Sequence, residues 1–161
     1  MLRNFCVPLC RICITAWVGA AVLFVMVAIK PVRSPALDSL TKSRLVIELF
    51  PGYYTIGFSL LIVGVLAGLI TWTAPTSGRA YRAGVILALL GLLAMTVDWF
   101  TIYKPLEQMI HVQLSEGTAP PAEFRSYHIA SWIINAVSVG LCALAVPCLH
   151  RNKQPAALPS K

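Results

Sequence analysis

Asp98 is the one formal charge in four long apolar stretches of this 161-residue chain, residues 12–29, 49–78, 83–103 and 126–150. A carboxylate inside such a stretch needs a chemical reason. On insertion scales it costs about 2.5–3.5 kcal/mol at the centre of a membrane-crossing helix, and it usually faces protein or a water cavity. Helical rise places Asp98 about 7 Å inside the outer end of its segment. His128 lies about as deep in the fourth stretch, and a short connection makes the two segments neighbours. His128, Ser131 and Asn135 stand at i, i+3 and i+7, so they share one helical face. This spacing predicts a polar pocket in which Asp98 orients or deprotonates His128. The plainer reading of the same residues is an interhelical hydrogen-bond cluster that sets helix register. Asp98→Asn separates the two: register survives it, and proton-linked chemistry does not.

Further polar residues gather at the same end. Glu48, Tyr53 and Tyr54 flank Pro51-Gly52, and Lys30 closes the first stretch. Anchoring at the membrane interface accounts for Lys30 and the tyrosines taken singly, but not for Asp98. The opposite end has no comparable set. Cys6-x-x-x-Cys10-x-x-Cys13 has the spacing of an iron–sulfur loop, yet on a helix it places three small apolar side chains on one face. His111 beside Met109 is a weak soft-metal pair. The chain has no phosphate-binding loop, zinc-helix motif or nucleophile elbow, so no catalytic set is expected.

The elements that must position these residues follow from hydropathy. A hydrocarbon core of about 30 Å needs roughly 20 apolar helical residues, and each of the four stretches is about that long or longer. With 58% hydrophobic and 12% charged residues, the chain has about half the charge of an average soluble domain. The expected fold is all-α: an integral membrane four-helix bundle over residues 1–150, with a short interfacial helix between spans one and two and a disordered polar tail at 151–161. Ser34-Pro35 starts the interfacial helix at 36–50, and Phe50-Pro51-Gly52 ends it. Span two runs from about Tyr53 to Trp72. Span three starts near Tyr81, and its pattern continues to Glu116. Gly117 to Pro121 form a loop, and span four runs from about Ala122 to Leu149.

Gly57, Gly64 and Gly68 lie on one face of span two, Gly84, Ala88 and Gly91 on one face of span three, and Ala136 and Gly140 on span four. Close van der Waals approach drives helix association in lipid, so these stripes predict a compact bundle. A homo-oligomer seam through Gly64 and Gly68 is the alternative use of that motif.

The leading basic residues Arg3 and Arg11 have the polarity of a secretory signal, but the apolar run after them is long and lacks a clear cleavage site, so a retained span is expected. An even number of spans places both chain ends and the 73–82 connection on one side. That side carries Arg3, Arg11, Arg79, Arg82, Arg151, Lys153 and Lys161 and no acid. Arg79 and Arg82 lie in the shortest connection, which predicts cytoplasmic termini in a cell or inner membrane. The formal net charge of +7 is thus a topology signal. The expected partner is the lipid bilayer, not nucleic acid, since no basic surface domain exists to bind the latter.

Trp17-x-Gly19, Leu49-Phe50-Pro51-x-Tyr53-Tyr54, Asp98, Tyr103-x-Pro105 and Phe124-x-x-x-His128-x-x-Ser131-x-x-x-Asn135 resemble the small four-helix membrane family that includes transmembrane protein 205. The likeness covers about residues 12–145. Asp98 stands where that family is expected to have asparagine. The resemblance implies four spans and no assigned reaction. A more distant similarity, to copper-resistance-D-type membrane proteins and a haem-linked oxidase of the same architecture, implies His128 as a haem or copper ligand. Three readings follow: a non-enzymatic accessory or small-solute protein, a haem- or metal-binding redox protein using His128, and a subunit of an oligomeric transporter or channel.

Overall fold

A computed structural model describes residues 2–73, 78–117 and 121–151, without the side chains of residues 2, 29–33 and 39. Helix α1 spans Leu2–Arg33 and α2 spans Ser39–Ile70. Helix α3, Arg79–Asp98, passes through a π-helical turn, Trp99–Tyr103, into α4, Lys104–Glu116. Helix α5 spans Phe124–His150. The α3–π–α4 run forms a single rod, so the described residues make an all-α bundle of four rods. Each contains a stretch long and apolar enough to cross a membrane. The expected polar tail at 151–161 lies outside the described residues beyond Arg151.

One expected boundary is absent. The segment read as a separate interfacial helix runs without a break through Phe50-Pro51-Gly52 into span two. Asp38 starts this helix by accepting hydrogen bonds from the Thr41 N–H (2.9 Å) and the Thr41 hydroxyl (2.7 Å). Proline removes one backbone donor from a helix, yet tertiary contacts hold this one together. Phe24 of α1 packs edge-on against Phe50 at 5.4 Å and tilted against Tyr53 at 4.5 Å, on both sides of Pro51. Thr55 also returns a hydrogen bond to the Pro51 carbonyl at 2.8 Å. At 1.5 Å per residue, α2 is about 48 Å long. Its first turns, with exposed Asp38, Arg44 and Glu48, extend beyond a hydrocarbon core.

The helices pack most closely as two pairs, α1 with α2 and α3 with α5. In the second pair, a Cβ on Gly91 would stand 2.6 Å from Cys142 Sγ and 3.1 Å from the Ser138 carbonyl, and Ser138 Oγ donates to the Gly91 carbonyl at 2.8 Å. Gly84 meets Leu149 in the same seam. The expected contributors from span four, Ala136 and Gly140, are exposed instead. Ser138, Cys142 and Ala145 face α3 because the hydroxyl and the small side chains admit the α3 backbone. On α2, Gly64 packs on Ile14 and Cys13, and Gly68 on Val85 and Cys10. The stripe considered as a self-association seam is therefore covered from within the chain. Cys6, Cys10 and Cys13 are buried free thiols in this packing.

Both ends of the described chain lie at one end of the bundle. Arg11 Nε donates to the carbonyl of Leu149 at 2.8 Å, capping the last turn of α5. Thr71 and Tyr81 share a 2.8 Å hydrogen bond there, and the Arg82 guanidinium lies 5.9 Å from the Trp72 ring centre.

Candidate functional site

Asp98 is the last residue of α3 and is fully buried. The turn that follows is π-helical, a rare form that recurs at functional positions. Its cause is visible in sequence: Pro105 has no N–H and crowds the carbonyl four residues earlier, that of Thr101. Widening the preceding turn by one residue relieves that crowding and re-aims Trp99 and Tyr103. These two rings stack at 4.8 Å, each lies 4.8 Å from the Tyr54 ring, and Tyr103 stacks on Phe50 at 6.1 Å. Lys104 sits 4.8 Å from the Trp99 ring centre and pairs with Glu107 at 2.8 Å.

Three neutral donors converge on a single oxygen of Asp98. The Tyr54 hydroxyl, the Ser131 hydroxyl (3.2 Å) and the Asn135 amide all donate to Oδ2. Asn135 is oriented by its other edge, because the Tyr53 hydroxyl donates to Asn135 Oδ1 at 3.2 Å. Its Nδ2 therefore faces the carboxylate. Asp98 Oδ1 is buried with no partner among the described residues. Such an orphan oxygen costs free energy unless a proton, a water or a cation joins it.

A cavity of about 250 Å³ adjoins this network, between α1, α2, α4 and α5. Tyr53, Ser131, Asn135 and His128 form its polar edge, and Phe24, Phe50, Tyr103 and Trp132 its aromatic walls. A second depression, between α2 and α3, is an open apolar furrow lined by Phe58, Ile62, Leu93 and Phe100 among others. Tyr54 contributes its ring to that furrow and its hydroxyl to Asp98.

Of the candidate residues, the structure brings together Asp98, Tyr53, Tyr54, Ser131 and Asn135, and leaves the others apart. His128 is exposed and stacked on Phe124 at 6.2 Å, and it is not among the hydrogen-bond partners of Asp98. The expected Asp98–His128 pair is replaced by Asp98–Asn135 and Asp98–Ser131. Ser131 and Asn135, one turn apart, face α3, while His128, a turn nearer the helix start, is left at the cavity. Glu48 is exposed. The side chain of Lys30 lies outside the described residues. Sequence reasoning missed the cavity walls Phe24, Tyr103 and Trp132, though aromatic residues near span ends were a usable signal.

The donor set does not fit copper, which takes several protein ligands, and offers a haem one imidazole. His128 is the one imidazole at the cavity, the amide and hydroxyl beside it are engaged by Asp98, and no cluster of three metal-binding side chains occurs among the described residues.

Comparison with protein-family models, with curated proteins and with solved structures finds no match for this chain.

Proposed function

We propose that this chain is a non-enzymatic integral membrane protein that receives a small amphipathic solute in the aromatic cavity, as an accessory or solute-handling component. One observation carries the reading: Ser131 and Asn135 both line the cavity and both donate to a fully buried carboxylate. An occupant that bonds to these groups competes with Asp98 for them, so its presence is felt inside the bundle. Ligand sites are commonly apolar concavities with a few convergent polar groups, and this cavity has that make-up. The likeness to the transmembrane protein 205 family, with four spans and no assigned reaction, agrees with it. Arg79 and Arg82 in the short α2–α3 connection support cytoplasmic termini.

The test uses Trp132, which lines the cavity. Purified protein in detergent is titrated with a panel of small aromatic alcohols, amides and amines, followed by tryptophan fluorescence and thermal unfolding. At least one chemical class is expected to change the emission and raise the unfolding temperature, with the emission change lost in Trp132→Phe. A panel that changes neither observable overturns the proposal. The haem reading predicts a Soret band in protein purified from a haem-replete host, and the present proposal predicts none.

A further inference from the structure

The cavity is electrostatically one-sided. No Lys or Arg is among its described lining residues, and five of its walls are the rings of Phe24, Phe50, Tyr53, Tyr103 and Trp132. Aromatic faces carry negative partial charge and attract cations. Behind the polar edge lies Asp98, whose three partners are neutral and whose Oδ1 has no partner among the described residues. The ion pair that occurs among the described residues is Lys104–Glu107, and no described Lys or Arg pairs with Asp98. A carboxylate in that position is stable when it holds a proton or when a cation comes near it.

We infer that the cavity binds small lipophilic organic cations, such as quaternary ammonium compounds with an aromatic or alkyl body, in exchange for a proton on Asp98. The inference rests on the solute-binding reading above and names the class of solute. Charge balances in the exchange: one cation enters, the Asp98 O–H bond breaks, and the proton passes to bulk water. Asn135 connects the two events, since its amide spans from Asp98 to Tyr53, a residue of the cavity wall. Val25 and Trp132, both lining residues, are exposed on the surface of the bundle within two of its apolar spans. A cation dissolved in the membrane can therefore enter from the side.

The titratable groups facing this region come from each neighbouring element. Helix α2 contributes Tyr53 and Tyr54. The π turn contributes Tyr103, with Glu107 and Lys104 beside it on α4. Helix α5 contributes His128 and Cys142. Among its described side chains, helix α1 faces it with Trp17 and Phe24, neither of which titrates. His128, the imidazole at the same cavity, is the group to separate from Asp98.

The experiment is calorimetric titration of the detergent-purified full chain with benzyltrimethylammonium and with neopentylbenzene, its neutral isostere. The cation is expected to bind about tenfold or more tightly than the isostere at high pH. That preference is expected to fall as the pH is lowered, with proton release seen as a dependence of the heat on buffer ionisation enthalpy. His128→Gln retains this pH dependence, and Asp98→Asn loses both the preference and the proton release. The comparison of cation with isostere in the unaltered protein stands even where Asp98→Asn fails to fold. Equal affinity for the two probes, or a preference independent of pH, overturns the cation assignment and leaves the solute cavity in place. Binding of neither probe, together with a silent panel in the fluorescence test, overturns both.

Discussion

Tyr54 on α2 donates its hydroxyl to Asp98 at the end of α3, 44 residues later, across the less closely packed side of the bundle. Helices α2 and α3 pack less closely than either tight pair, and this buried bond with the aromatic stack around it ties them at one end, as Gly68–Val85 and Thr71–Tyr81 do toward the other. The carboxylate thus serves as a node on which α2, α3 and α5 meet.

The node can be probed by shape-conserving and shape-breaking changes. Asp98→Asn keeps an acceptor oxygen for Tyr54 and Ser131 and is expected to change unfolding stability by about 1 kcal/mol or less. Asp98→Leu leaves three donors without an acceptor in an apolar interior, at roughly 1–3 kcal/mol for each that finds no replacement. Denaturant-induced unfolding in micelles measures both. Equal losses for the two variants would show that charge, not hydrogen bonding, sets the node's strength.

Tyr54→Phe removes the hydroxyl and retains the ring between Trp99 and Tyr103. Its expected cost is about 1.5–3 kcal/mol if Asp98 is ionised and about 1 kcal/mol if it is neutral. Tyr54→Ala also loses ring packing and is expected to cost about 3–5 kcal/mol. A double-mutant cycle of Tyr54→Phe with Asp98→Leu, which removes the acceptor, isolates the pairwise part, and a coupling of zero would contradict the bond.

Two glycines give a matched pair for the α3–α5 seam. Gly91→Ala drives a methyl into Cys142 Sγ and the Ser138 carbonyl, whereas nothing lies within 4 Å of a Cβ at Gly140. The first change is expected to destabilise by about 1–3 kcal/mol through overpacking. The second is expected to be neutral or to stabilise by up to about 1 kcal/mol, since alanine is the better helix former. Adding Cys142→Ala to Gly91→Ala should recover part of the loss. Equal effects at the two positions would disprove the seam.

Asp38 supplies a pH dependence outside the membrane spans. The Thr41 N–H and hydroxyl hold its carboxylate below the ordinary aspartate value of 3.8. Because the folded value is the lower one, this contribution is complete above the unfolded value and is lost as the pH falls through the folded value. The first turn of α2 is therefore expected to fray under acid conditions below about pH 4, visible as faster amide exchange at Thr41. Asp38→Asn, which still caps, should remove the pH step and keep most of the protection.

Membrane architecture was legible in sequence because hydropathy is a local property. Four apolar runs without countervailing charge can be satisfied only by lipid and by one another. Span four, expected at 122–149, runs over Phe124–His150, and the continuation of the third span to Glu116 followed from its apolar pattern. Helix α2 shows where local rules mislead: Pro51 argued for a break, yet Phe24 packing across it outweighed one missing backbone donor. Asp98 could be picked out as the residue needing partners, and Ser131, Asn135, Tyr53 and Tyr54 as candidates at its depth.

Which of them reach it was decided by tertiary structure. A helix places side chains at fixed angles and heights along its own axis, but packing against neighbours sets how far the whole helix is turned and slid. The Gly91–Ser138–Cys142 contact fixes the axial register of α5, so that Asn135, about two turns deeper on the same face than His128, meets the carboxylate. The π turn before Pro105 then swings Trp99 and Tyr103 over Tyr54. Sequence alone therefore determined that a charged group lay among four apolar helices. The choice of its three donors, and the cavity behind them, came from how the rods are turned and slid against one another, which one-dimensional periodicity leaves open.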